Sequence, residues 1–399
     1  MHILIALTYY RPHYSGLTIY VERQARALAE RGHQVTILTA RFDNSLPAEE
    51  VHDGVRIVRL NVALHISKGV IMPAMPWQAW KLVRQADVVN LHVPQFDAAL
   101  IALISRLQGK PVVLTYHCDL RLPGGFVHAM ANRVSNLANH MAAWLADVVV
   151  HNTRDYAANS PFLRRYLDKL IPVFPPVELA SAGAAERAAF RQKFNLLPGQ
   201  RIIGMAARLA TEKGVEYLAQ ALPQVLERIP QARVLVVGPY QNVLGEERYA
   251  GRVMALVEPI KEHWSFLGVV TPVEMTAFFQ ESEVTVLPSL NSTESFGMVQ
   301  VESLVCGTPV VASDLPGVRV PVSQTGSGLI VPVGDADELA QAILKVLEDP
   351  ARHRGEPEAL IRLSTPAAVA EQYEKIFELA RDRSRLKLAL SREEPSAQV

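Results

Sequence analysis

Short unbroken apolar runs alternate with amphipathic stretches along nearly the whole chain, and that rhythm leaves few folds open. Runs at residues 3–7, 34–38, 55–60, 87–91, 112–115 and 147–150 each have the length of one strand, and no strict apolar/polar alternation marks one face of any of them as solvated. The segments between them read as helices; the first, from Ile19, is closed by Gly32. Strand, helix and parallel strand in succession make right-handed βαβ units, so the chain is α/β with doubly wound sheets. Residues 153–170 read as a helix and 171–176 as strand-like. Pro161, Pro172, Pro175 and Pro176, followed by the small residues 180–183, form the best linker candidate. The rhythm restarts at Arg201, with strands expected at 202–206, 233–237, 264–267, 284–287, 309–312 and 328–331. A chain of 399 residues, 49% hydrophobic, suits two such domains, expected at 1–180 and 181–366 with a helical tail at about 367–390 and a polar end from Ser391.

Charge excludes several partners. The chain carries 40 Lys and Arg against 40 Asp and Glu, which is no nucleic-acid footprint. Cys118 and Cys306 are its two cysteines, far apart and without metal-ligand spacing. The first residues enter an apolar strand without a basic leader, and no apolar run approaches the ~18–20 residues needed to span a bilayer. A cytoplasmic protein is expected, with peripheral contact at the inner face of a membrane left open. Residues 62–86, with Met72, Met75, Trp77 and Trp80, are either an acceptor or membrane-interface surface or packing against a neighbouring helix.

Chemistry concentrates at residues 289–303. A strand ends at Pro288, a polar loop follows, and a helix is expected from about Phe296 to Cys306, stopped by Gly307-Thr308-Pro309. The free N–H groups of Phe296, Gly297, Met298 and Val299 would then form an anion site backed by the helix dipole, with Gly297 allowing close approach of a ligand. Glu294 and Glu302 frame it, roughly 10–12 Å apart at helical rise, too far for a hydrolase's carboxylate pair sharing one water. Glu294 to Glu302, with seven residues between and Phe-Gly inside, resembles the E-x(7)-E signature of retaining glycosyltransferases of family four with the GT-B fold. That resemblance implies two Rossmann-like domains facing across a cleft, a nucleotide-sugar donor (UDP- or GDP-linked), an acceptor that is a glycan, glycolipid or small molecule, and no metal or other cofactor. It also implies that the last helix crosses back to the first domain.

A second signal lies at residues 203–214. The strand ending at Ala206 leads into Arg208 and Lys213 ahead of Gly214, a guanidinium fork and a point charge suited to a diphosphate. R-L-x-x-x-K-G here is similar to the family's phosphate-binding motif. Where the family has a glycine-rich loop after its first strand, this chain has Ser15-Gly16, so Gly16 alone is carried over as donor-binding. His117, after the strand 112–115, matches the family histidine that contacts the donor sugar. Cys118 beside it does not make a Cys–His nucleophile, because adjacent side chains of an extended segment point to opposite faces. Asp335-Ala336-Asp337 reads as a helix cap with first-turn acids. The catalytic set implied is His117, Arg208, Lys213 and Glu294; the donor-binding set is Gly16, Phe296, Gly297, Met298, Val299 and Glu302. A sugar-nucleotide epimerase, a phosphorylase or a non-catalytic sugar-nucleotide binder on the same fold are the rival readings, disfavoured by the carboxylate spacing and by the intact charged residues.

Overall fold

The computed structural model describes residues 1–66, 69–119, 126–243 and 245–392; the polar end of the chain past residue 392 lies outside them. Two compact units emerge, one made of Met1–Pro176 with Ser364–Val399 and the other of Val177–Leu363.

In the first unit, parallel strands β1 (His2–Ala6) and β2 (Gln34–Arg41) are followed by β3 (Glu49–His52), β4 (Val55–Asn61) and the small hairpin β5 (Leu64–Ile66) and β6 (Gly69–Ile71). The sheet is completed by β7 (Val88–Val93), β8 (Val112–Tyr116), β9 (Val148–His151) and β10 (Leu170–Pro172), in spatial order β10-β9-β8-β7-β1-β2-β4-β3. Among the described residues of this sheet, only β3 runs antiparallel to its neighbour. Alternate residues of each strand feed opposite layers. Ile3, Ile5, Val35, Ile37 and Val113 meet the helices Gly16–Glu30 and Pro366–Arg381, whereas Leu4, Ala6, Val89, Leu91 and Leu114 meet Met75–Gln85, Ala98–Leu107 and Phe126–Leu145. Both faces are covered, hence the unbroken apolar runs.

The helix Pro366–Arg381 starts where Thr365 accepts a hydrogen bond from the Ala368 N–H and Pro366 occupies the first turn. Val369, Tyr373, Ile376 and Phe377 on one of its faces are buried, each contributing ~1.5–3 kcal/mol. The expected helix at 153–170 is instead a short one, Arg154–Asn159, followed by two 3-10 turns. Pro161 disfavours helix at Ser160, whose hydroxyl instead accepts from the Phe162 and Leu163 N–H groups.

The second unit holds β11 (Arg201–Ala206), β12 (Ala232–Val237), β13 (Trp264–Gly268), β14 (Val284–Leu287), β15 (Val310–Ser313) and β16 (Gly328–Val331), all parallel, in the order β13-β12-β11-β14-β15-β16. Val215–Arg228 and Ala336–Glu348 cover one face; Ala184–Lys193 and Pro272–Glu281 cover the other. Residues 180–183 are tied into this unit: Thr276 Oγ1 donates to Ala180 O at 2.7 Å and Gln280 Nε2 to Ala182 O at 3.2 Å. Asp335 caps Ala336–Glu348 through the N–H groups of Asp337 and Glu338, as its position ahead of an amphipathic run suggests.

Candidate functional site

The order of the second sheet reverses at β11. The chain moves from β11 outward to β12 and β13 on one side, then returns to add β14 on the other, so β11 and β14 are neighbours in the sheet. Crevices at the carboxyl ends of such a strand pair are where open α/β sheets bind ligands. Residues 207–214 follow β11 and residues 288–297 follow β14, and they carry half of the expected site residues, with Met298, Val299 and Glu302 on the helix that comes next.

Arg208 is aimed by its neighbours. The N–H groups of Ala207 and Leu209 donate to Val237 O and Pro239 O, both at 2.8 Å, so the backbone stays tied to the segment after β12 beyond the end of the strand. Leu209 turns into the core, fully buried, and Arg208 between the two bonded residues turns outward and is exposed. Its guanidinium pairs with Glu212. Partial burial pushes the Glu212 carboxyl up, but a backbone hydrogen bond and Arg208 outweigh it, so the group titrates below its ordinary range.

The two loops are stitched together. Leu290 N donates to Glu212 O at 2.9 Å, and Lys213 Nζ lies 2.5 Å from Glu294 Oε2, with both side chains largely buried at 21% and 15% exposure. Gly214, with φ 67°, caps Val215–Arg228 and lies so close to the β14 loop that a Cβ would meet Pro288 O at 2.1 Å. Lys213 and Glu294, 81 residues apart, thus share one spot at the strand ends.

The helix after this loop begins later than expected, at Met298, because Gly297 sits in the left-handed region (φ 79°, ψ 74°) and cannot be a helical residue. The expected row of four N–H donors is corrected accordingly: Met298 and Val299 open the first turn, while Phe296 and Gly297 precede it. Phe296 is buried, anchoring the loop by its ring, and its carbonyl accepts from Gln300 Nε2 at 2.7 Å. The same nitrogen donates to Val318 O at 2.9 Å. Gln300, fully buried, is a determinant that periodicity did not reveal; a polar amide at a core position of an apolar helix was its signal. Glu302 lies half-buried on the helix Met298–Val305. Burial, and then Glu302, push the Cys306 thiol up to about 11, which keeps it protonated.

In the first unit the sheet order reverses between β1 and β7. Gly16 is the first residue of Gly16–Glu30 and not part of the preceding loop; Ser15 caps this helix through the Thr18 N–H at 3.2 Å. The N–H groups of Gly16 and Leu17 have no acceptor within the helix. His117 follows β8. Its Nε2 is 2.9 Å from His92 Nδ1, its ring meets Tyr20 edge-on, and its backbone N–H donates to Val93 O at 3.0 Å. His92 and Asn90, both fully buried on β7, escaped notice in the sequence, although N-x-H inside an otherwise apolar run was there to read. Burial pulls the His117 imidazole down to about 3, with nearby His151 adding to the effect.

Known proteins similar to this chain identify its family. The family described as "Glycosyl transferases group 1" matches residues 186–362, and "Glycosyltransferase Family 4" matches residues 14–183. The D-inositol 3-phosphate glycosyltransferase of Pseudarthrobacter chlorophenolicus is 26% identical over 364 residues, covering 84% of this chain and 83% of that one. The phosphatidyl-myo-inositol mannosyltransferase of Mycolicibacterium smegmatis is 26% identical over 352 residues, with 84% and 81% covered. Among solved structures, Anabaena HepE in complex with UDP superposes with a TM-score of 0.75 at 19% identity, over 95% of this chain and all of that one. With both units matched by glycosyltransferase families and the whole chain sharing the fold of such enzymes, the protein belongs to family four of the glycosyltransferases and has the GT-B fold.

Proposed function

We propose that this glycosyltransferase moves a hexosyl group, with retention of configuration, from a UDP- or GDP-linked donor to an acceptor hydroxyl of a cell-envelope glycolipid or polysaccharide precursor. The observation that carries the reading is the meeting of Lys213 with Glu294 at the β11/β14 strand ends, beside a helix start. An ammonium has three donors, so Lys213 can keep its bond to Glu294 and still reach a phosphate oxygen. Arg208, exposed and held by one carboxylate, has N–H groups to spare for the same diphosphate. The Met298 and Val299 amides add the positive end of a helix dipole. Charge builds on the diphosphate as the glycosidic bond breaks, so these groups act most strongly in the transition state. One such preorganised donor is typically worth about 3 kcal/mol. Glu302 takes the ribose hydroxyls, Glu294 hydroxyls of the donor sugar, and His117 of the first unit another part of that sugar. The leaving phosphate accepts the acceptor's proton in a front-face displacement, the mechanism the family resemblance implies. Two fixed cations do the work that other transferases assign to a divalent metal, so turnover is expected to continue in excess EDTA.

Peripheral membrane contact belongs to the same reading. The helices Met75–Gln85, Ala98–Leu107 and Phe126–Leu145 pack side by side and expose Trp77, Trp80, Leu107, Leu137 and Trp144, with Lys81, Arg84 and Arg133 also exposed on them. Met72 and Met75 from the same irregular segment are buried, so the segment divides between packing and display. Aromatic side chains edged by basic ones suit an anionic bilayer surface. Among the described residues no helix is long and apolar enough to cross a membrane.

A panel of nucleotide sugars without acceptor, read by released UDP or GDP, identifies the donor. On that donor Glu294→Ala is expected to retain nucleotide binding while losing turnover by orders of magnitude. Unchanged turnover would remove Glu294 and the site built on it.

A further inference from the structure

On the face of the first sheet covered by Pro366–Arg381, β7 and β8 change character along their length. Val88 and Val113 are apolar; Asn90, His92, Thr115 and His117 follow at alternate positions. The polar groups form one connected chain. Asn90 Nδ2 donates to Val113 O at 3.2 Å and to Thr115 Oγ1 at 3.0 Å. Thr115 Oγ1 and Tyr20 OH each lie 2.9 Å from Tyr373 OH. Asn90 Oδ1 lies 3.0 Å from His92 Nε2 and receives Gln24 Nε2 at 3.3 Å.

This chain has a fixed direction. A carbonyl oxygen only accepts, so Val113 O fixes which end of the Asn90 amide is NH2 and turns Oδ1 towards His92. Oδ1 also only accepts, so His92 carries its proton on Nε2. Burial, and then His117, pull His92 well below the ordinary histidine range, and His117 is itself held at about 3, so both rings are neutral near pH 7. A neutral ring has one proton, which leaves His92 Nδ1 as an acceptor. The 2.9 Å contact therefore puts the His117 proton on Nε2 and leaves Nδ1 bare. Among the described residues, the His117 ring makes no hydrogen bond besides this one.

We propose that Asn90 and His92 are positioning residues that lock His117 as an acceptor at Nδ1, so that the donor group it serves must itself donate: a neutral sugar hydroxyl, not a carboxylate or a phosphate oxygen. This rests on His117 contacting the donor sugar, as proposed above. Uronic-acid or phosphorylated sugars presenting an oxyanion at that point are rejected by lone-pair repulsion.

Long-range proton–nitrogen spectra of the 15N-labelled protein read the tautomer directly, with His117 assigned by its loss in His117→Gln. The expected result at neutral pH is a protonated Nε2 and a bare Nδ1 on both His92 and His117. A proton on His117 Nδ1 would overturn the lock, and this measurement needs no variant of the network to fold. His92→Phe keeps a flat buried ring but removes the acceptor. It should let His117 populate both tautomers and lower kcat/KM for the donor roughly tenfold to a hundredfold, the cost of a misdirected buried hydrogen bond. Binding of the free nucleotide diphosphate should be unchanged. In the wild-type enzyme, one monodeoxyfluoro donor of a panel should lose a similar factor, because fluorine cannot donate. If the tautomers are as expected but neither His92→Phe nor any fluorinated donor alters kcat/KM, the donor half of the proposal fails, and His117's role in the proposed function fails with it.

Discussion

Gly297 and Gly307 bracket the helix Met298–Val305 in the same backbone conformation, φ 79° and φ 74°, but in different surroundings. An L side chain in that region costs ~1–2 kcal/mol at either position. At Gly307 a Cβ would have nothing within 4 Å; at Gly297 it would stand 2.4 Å from Leu287 Cδ2 and 2.9 Å from Gln300 Nε2. Carbon atoms rest ~3.5–4.0 Å apart, so the loop at Gly297 has to move by about 1 Å. Leu287 is 1% exposed and Gln300 is pinned by two carbonyls, so neither can give way. Gly307→Ala is therefore expected to lose ~1–2 kcal/mol in urea unfolding with turnover within about twofold of wild type. Gly297→Ala should lose a further ~1–3 kcal/mol to overpacking. Its turnover should fall about a hundredfold, since a displacement near 1 Å of a positioning group costs that much. If the two variants show equal turnover, the amides of Met298 and Val299 do not hold the diphosphate, and the reasoning fails.

Two further outcomes are expected. Burial holds the fully buried His151 at about 4 against an ordinary 6.5, so the unfolded chain takes up a proton first as pH falls. The stability His151 contributes is complete above pH 6.5 and declines towards pH 4, by about 3 kcal/mol. Burial raises Asp97 to about 6, and this works in the opposite direction. The test is therefore the difference in pH slope between wild type and His151→Gln in urea unfolding; identical slopes would refute it. The triple variant Trp77→Ala, Trp80→Ala, Trp144→Ala should stop sedimenting with vesicles containing anionic lipid while keeping turnover on a soluble acceptor. Wild-type protein that never sediments with such vesicles would end the membrane reading.

The sequence displayed the charged candidates better than it displayed the contacts that hold them. The parallel strands were legible because burial on both faces leaves unbroken apolar runs; β3, mostly exposed at the sheet edge, has no such run and was missed. Arg208, Lys213, Glu294 and Gly297 stood out as candidates because those residue types beside an expected helix start suit a diphosphate. That Lys213 rests on Glu294 was not legible, since it depends on β11 and β14 being neighbours, which no local pattern encodes. Asn90 and His92 were hidden for the same reason, because their partners come from β8. The two-residue shift in the helix start turned on the backbone angle of one glycine.

The chain leaves the first unit after Pro176 and returns to it at Ser364. During synthesis the second unit is therefore whole, and free to fold, while the first still lacks Val369, Tyr373, Ile376 and Phe377 from its core. Until the ribosome releases that closing helix, Tyr20 and Thr115 wait without the hydroxyl they share, and the nascent amino-terminal half keeps a bare apolar groove. A chaperone that shields such surfaces has its longest opportunity here, and a premature stop codon near residue 364 would harm the half of the molecule that was made first.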